Sequence, residues 1–338
     1  MNKPKQRYLL HLYDFDTIIK KTIENHNINP LSSFGQLLYQ NDGRTPFFQL
    51  QGLARIEISS GKNEKKALKW KEDFKAIEDA IGMYDFWLAL LKKNQKWNFP
   101  KEATTYLDYR ANLSLGVLEE RLITQGWITK ENKNYLYQET PLLNYKKEFD
   151  KSDWHNPNKE AKKLAKFLRD ETIDLHQKIE NNELDLDDIE LGVHEFRRKL
   201  RWLSIYASAL VGKIKYSNDD SKDPLKNYIT KSNREFKFNI LTENDKVESP
   251  VLFLRGGFYA MGELIKKIGD LKDAGLYSSE MIHLGDLIGM KKKDIITKLG
   301  EDYSNEKETI KNAKIVIDKY LIKDNVLLHI ADNFDKQV

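Results

Sequence analysis

The stretch KKALKWKEDFKAIEDAIGMYDFWLALLKK keeps its apolar residues at helical spacing from Leu68 to Leu91. A helix turns about 100° per residue, so this spacing gathers the apolar side chains on one face and commits the segment to packing against other helices. The same period recurs in DFDTIIKKTIENHN, with carboxylates in its first turn, and in KEATTYLDYRANLSLGVLEERLITQG, which follows Pro100 and stops at Gly126. It returns in NKEAKKLAKFLRDETIDLHQKIE, RGGFYAMGELIKKIGDLKD, SSEMIHLGDLIGMKKKDIITKLG and NEKETIKNAKIVIDKYLIKDNVLLHIADNF. Only 17 Gly and 8 Pro interrupt the 338 residues, so strand punctuation is scarce and the chain reads as all-α.

A length of 338 residues accommodates two cores of common domain size. Trp127–Pro157 is rich in Asn, Lys and Tyr without clear periodicity, and the boundary is expected there. This gives an N-terminal helical unit over 1–150 and a C-terminal one over 151–338. No run approaches the length of a membrane span and the start carries no secretory pattern, so the expectation is a cytoplasmic protein without a membrane partner. The absence of cysteine excludes disulfides, thiol catalysis and thiolate metal sites. Net charge is only +4, so any preference for anions must come from local arrangement.

Such an arrangement occurs in LGVHEFRRKLRWLSIYASALV, residues 191–211. With Val193 as zero, Arg197, Arg201, His194 and Arg198 fall at about 40, 80, 100 and 140° around the axis. Val193, Phe196, Leu200, Leu203, Ala207, Leu210 and Val211 occupy a separate, core-facing sector. No carboxylate is expected inside the basic stripe, and Glu195 is read as pointing elsewhere. Guanidinium groups one helical turn apart suit successive groups of an extended polyanion, because each offers planar, charged donors to phosphate oxygens. His194 would add a hydrogen bond strengthened at lower pH.

Val193, His194, Arg197 and Arg201 resemble the Val-His-x-x-Arg motif, followed by a basic residue one turn later, of the conserved-histidine α-helical domain (CHAD) family. The resemblance implies two antiparallel helical bundles related by internal duplication, with a central basic groove that binds inorganic polyphosphate. An Asp-x-Ile-Gly-Met echo, at Asp79–Met83 and Asp286–Met290, fits a duplication, and Asp85 is matched to the family's Leu-Gly-x-x-x-Asp helix. The sequence departs from the family where Trp202 follows Arg201 and Ser204 takes a basic position. In the first half, FFQLQGLARIE offers Phe48 and Gln51 where His and Arg belong, and only Arg55 fits, so that repeat reads as degenerate.

A second basic stripe, Lys159, Lys162, Lys163, Lys166 and Arg169, spans about 120° opposite Leu164, Phe167 and Leu168. If its helix pairs antiparallel with the His194 helix, the two stripes flank one groove. Arg255 in LRGG either presents a phosphate-binding nest or simply starts a helix, and the polar insertion at 216–250, with Lys226, Lys231, Arg234 and Lys237, is a loop or a basic flap. Lys291–Lys293 reads as a solvated turn, and His283 as packed on an apolar helix. No phosphate-gripping glycine loop, metalloprotease motif or paired-carboxylate constellation is present. The expected function is therefore non-catalytic binding of polyphosphate or another polyanion, with no cofactor and no metal. The alternatives are a phosphoryl-transfer or polyphosphate-hydrolysing enzyme and a helical scaffold that binds protein or RNA. Oligomeric state stays open.

Overall fold

Tyr8, Leu12, Phe15 and Ile19 recur every three or four residues and are all buried, forming the inner face of α1 (Pro4–Ile28). The helix begins ten residues before the DFDTII stretch because Pro4 sits in its first turn and Tyr8 and Leu12 already belong to the apolar face. The structure is a computed structural model that describes residues 3–129 and 141–338. It divides into two compact units, Lys3–His155 and Asn156–Val338, and is mostly helical.

In the first unit, α2 (Phe34–Gln40) and α3 (Thr45–Ser60) precede α4 (Glu64–Trp97). This long helix packs along α3 and along α5 (Lys101–Thr124). Asn98, left-handed at φ 53°, ends α4, and Pro100 then opens α5, which stops before Gly126 at φ 80°. The Trp127–Pro157 stretch is not a linker where it is described; residues 130–140 lie outside the described residues. Leu142, Tyr145 and Phe149 line the buried face of α6 (Pro141–Asp150), and Tyr8, Trp70 and Phe149 pack with ring centroids 4.8–5.6 Å apart. Residues 151–155 stay with this unit, since Asn63 Nδ2 donates to the Asp153 carbonyl at 2.6 Å and Trp154 lies 5.7 Å from Tyr8.

The second unit runs from α7 (Pro157–Glu180) through α8 (Glu195–Ala209) to a feature the all-α reading lacks. Strand β1 (Ile214–Tyr216) pairs in parallel with β2 (Val251–Phe253), in the register Ile214 with Val251 and Tyr216 with Phe253. The connection between them, 217–250, contains α9 (Lys231–Glu235) and lies over α10 (Arg255–Leu287). Asn233 donates to the Tyr228 carbonyl and Asn239 to the Asn233 carbonyl, both at 2.9 Å, which braces the connection internally; Asn233 also donates to Glu263 of α10 at 3.3 Å, and Gly262 leaves room for the Asn239 amide. The two helical stretches expected at 255–273 and from Ser278 are one helix, broken only at Gly289, φ 75°. The remaining elements are α11 (Lys292–Leu299), α12 (Glu306–Asp318) and α13 (Val326–Asp335), which packs on α7.

The Asp-x-Ile-Gly-Met echo occupies unlike positions. Asp79–Met83 lies inside α4, whereas Asp286–Met290 unwinds at the end of α10, so the match is one of letters and not of local structure. Among the described residues, no helix is long and apolar enough to cross a membrane.

Candidate anion-binding site

The His194 helix emerges from a π-type turn, Ile189–His194. Asp188 caps the turn by accepting from the N–H groups of Glu190 and Leu191, each at 2.7 Å. At Gly192 any Cβ would lie 1.8 Å from the Asp185 carbonyl oxygen, so only glycine allows this approach. The acidic residues ahead of the helix suit the positive end of its dipole. Beyond the turn, Val193, Phe196, Leu200, Leu203, Ala207, Leu210 and Val211 are all buried, as their spacing predicts, and Trp202 and Tyr206 are buried with them.

The basic stripe contains carboxylates, contrary to expectation. Arg198 Nη2 lies 2.6 Å from Glu195 Oε2, and Lys199 Nζ lies 3.7 Å from the same carboxylate. Glu195 does not point elsewhere, because a residue three positions back is a neighbour on the helix surface. His194 Nδ1 lies 2.9 Å from Glu190 Oε1. Arg197 is different: its Nε donates to the Ile265 carbonyl on α10 at 3.2 Å. Its guanidinium rests on Gly269, where an added Cβ would meet Nε at 2.8 Å and Nη2 at 3.0 Å. Among the described residues no carboxylate pairs with Arg197. Arg201 is part-buried one turn further on.

On α7, Lys159, Lys162, Lys163 and Lys166 are exposed, but Asp170 stands inside their sector, eleven residues from Lys159 and so about 20° away. Asp170 accepts from Lys166 and, at 3.0 and 2.9 Å, from Arg169 Nε and Nη2. Burial acts to raise the Asp170 pKa, and the bonds from Lys166 and Arg169 outweigh it, leaving the carboxyl below its ordinary value. Arg169 is held above its own ordinary value by Asp335 and then by Asp170, with Nη1 2.6 Å from Asp335 Oδ1. Lys159, Lys162 and Lys163 keep uncompensated charge among the described residues.

The start of α10 is closed to an external phosphate by the chain's own acids. The Gly256 N–H donates to Asp223 Oδ2 at 2.6 Å, and Arg255 Nη1 pairs with Asp220 Oδ2 at 2.5 Å while lying over the Tyr216 ring. Of the two readings of LRGG, the plain helix start is the one observed. His283 is exposed rather than packed, because it stands off the buried face formed by Met281 and Leu284. Lys291–Lys293 are exposed at the start of α11.

The groove expected between α7 and α8 does not form. The helices meet through Phe167 and Tyr206, with centroids 5.0 Å apart, and through the Tyr206 hydroxyl, which donates to Glu171 at 3.3 Å. Tyr206 is nine residues beyond Arg197, about 900° and therefore half a turn away. The face of α8 against α7 is thus opposite the face carrying Arg197, which lies against α10. Sequence reasoning missed this partner. The one local signal was Gly269, which leaves space on α10 for the guanidinium; Asp85, matched above to a Gly-x-x-x-Asp helix, stands only three residues beyond Gly82 and misses that spacing. Lys272, seven residues beyond Ile265 and so on the same face of α10, pairs with Asp273 at 2.5 Å.

The first unit holds an internal cluster around Arg44. Arg44 binds Glu78 Oε1 at 2.8 Å and Asp85 Oδ2 at 3.1 Å and lies 4.9 Å from the Phe48 ring centroid. Tyr39 donates to Asp85 at 2.5 Å, and its pKa is pushed up to about 12, by burial first and by that carboxylate second. Gln51 is buried. Among the described residues no three His, Asp or Glu side chains gather as a metal site. Comparison of the chain with protein-family models, with curated proteins and with solved structures finds no match.

Proposed function

We propose that the protein binds inorganic polyphosphate, without acting on it, along the seam between α8 and α10, with Arg197 as the central contact. One observation carries this reading: a part-buried guanidinium is anchored at Nε by a backbone carbonyl and no carboxylate among the described residues neutralises it. The remaining N–H groups of such an arginine are pre-oriented for phosphate oxygens, and charge-assisted bonds of this kind contribute about 1.5–3 kcal/mol each. His194 and Arg201 lie one turn to either side and extend the contact along a linear polyanion. Support for a duplication comes from one likeness between the units: Arg44 packs on Gly82 of α4 as Arg197 packs on Gly269 of α10.

The test is a polyphosphate titration comparing wild type, Arg197→Ala and Arg198→Ala. Loss of Arg197 is expected to weaken binding by about tenfold or more. Loss of Arg198, already paired with Glu195, is expected to change it by less than about threefold. Equal affinities for wild type and Arg197→Ala would reject the site. Shortening of the polyphosphate chain in the presence of a divalent metal would replace the binding reading with an enzymatic one.

A further inference from the structure

The strap that joins β1 to β2 holds two apolar side chains out of the protein. Phe238 is 59% exposed and Ile240 66% exposed, in a segment braced internally by the Asn233 and Asn239 amides, tied to β1 by the Tyr216 hydroxyl on the Asn239 carbonyl, and tied to α10 by Asn233 donating to Glu263 at 3.3 Å. Because Asn239 is anchored between them, the backbone from which both side chains leave is fixed. Lys237 and Lys266 lie over the Phe238 and Phe236 rings, and these two and Arg234 are exposed with no carboxylate partner among the described residues, against the exposed acids Glu235 and Glu243 of the same stretch. Lys231 has only Glu235, at 3.9 Å.

We propose that this tip docks on an anionic bilayer surface, Phe238 and Ile240 entering the headgroup region and the surrounding Lys and Arg side chains meeting the lipid phosphates. Rigid apolar protrusions ringed by uncompensated cations complement such a surface in both polarity and charge. A single-stranded nucleic acid fits less well, because bases stack on open ring faces. Here Lys237 Nζ lies 4.8 Å from the Phe238 centroid and Lys266 Nζ 5.9 Å from the Phe236 centroid, and the two rings pack against each other at 5.3 Å. The expectation of no membrane partner came from the lack of a spanning segment, and a surface contact requires none. The tip shares no residue with the Arg197 site, so the inference stands apart from the polyphosphate reading.

The experiment is co-sedimentation of the full chain with vesicles of phosphatidylcholine alone and of phosphatidylcholine with about one-third phosphatidylserine. Binding is expected only to the anionic vesicles and is expected to fall at high salt. Phe238→Ser/Ile240→Ser should weaken it by at least about tenfold, as two buried apolar side chains are lost, and Arg234→Glu/Lys237→Glu should abolish it. Because the chain has no cysteine, a polarity-sensitive dye on Thr242→Cys reports the tip alone, and its emission should shift to the blue on anionic vesicles. No binding, equal binding to both vesicle types, or an unshifted dye would overturn the proposal. So would binding of an RNA oligonucleotide that the Phe238→Ser/Ile240→Ser variant loses while vesicles stay unbound. Arg197→Ala should leave vesicle binding intact, which separates failure here from failure of the polyphosphate site.

Discussion

Gly269 gives Arg197 its seat. A methyl group there would lie 2.8–3.2 Å from three guanidinium atoms, closer than ordinary contact, and the movable partner is the far end of a flexible side chain. Gly269→Ala should therefore displace the guanidinium while the helix gains about 0.8–1 kcal/mol of propensity. The expected outcome is a melting temperature equal to or above wild type, together with polyphosphate affinity reduced about as much as in Arg197→Ala. Calorimetric melting and a binding titration on the same sample check both. A fall in stability with affinity unchanged would show that Arg197 relaxes without leaving its site. At this scale the sequence was half informative. The i,i+3 and i,i+4 positions of Glu195 and Asp170 were readable, yet helical angle alone gives where a side chain leaves the axis and not how far it bends to reach an opposite charge. Long arginine and lysine stems cover the 60° that appeared to separate Glu195 from Arg198.

Among the elements, the helices of the first unit were legible where capping and period agreed, as at Pro100 and Gly126. Short or long-range features were not. The Leu142, Tyr145 and Phe149 spacing of α6 was hidden by polar neighbours, and the parallel β1–β2 pair spans a 34-residue connection, 217–250, that no local pattern reveals. That strap is secured partly through Glu263 on α10, whose carboxylate accepts from Tyr320 and Lys267, each at 2.7 Å, and from Asn233 at 3.3 Å. Burial acts to raise the Glu263 pKa, and the bonds from Lys267, Tyr320 and Asn233 prevail, leaving it below its ordinary value of 4.5. A carboxyl whose folded pKa is depressed contributes stability that is present above its unfolded pKa and is lost as pH falls through the folded value. Glu263→Gln should therefore cost about 1 kcal/mol at neutral pH, at the low end for charged hydrogen bonds because the site is partly solvated. The deficit should shrink as pH falls below 4.5. Urea midpoints of the two proteins across that interval test this, and a gap that stays constant would assign the effect to packing.

For the whole molecule, a net charge of +4 says little, because 56 basic residues are set against 52 acidic ones and the balance does not report where charge is left locally uncompensated. Among the described residues, the second unit leaves Arg197 in the seam without a carboxylate partner, and likewise Lys159, Lys162 and Lys163 on α7 and Arg234, Lys237 and Lys266 beside the strap. The expected resemblance rests on four residues of one helix, and the partner of that helix was set by the buried positions of Tyr206 and Gly269, which the charge pattern did not report. A polyanion held by ionic contacts releases counterions, so log affinity should fall linearly with log salt, by about 0.7–0.9 per phosphate contact. Removing Arg197 should flatten that line by about one such contact, whereas Arg198→Ala should leave the slope as it is. Arg55, the sole residue of the first unit that fits the basic motif, sits on α3 in a unit whose Arg44 is already bound by Glu78 and Asp85. Arg55→Ala is accordingly expected to leave both affinity and slope within experimental spread. A slope that falls by a full contact in Arg55→Ala would mean that the first unit binds polyphosphate as well, and that its repeat is not degenerate in function.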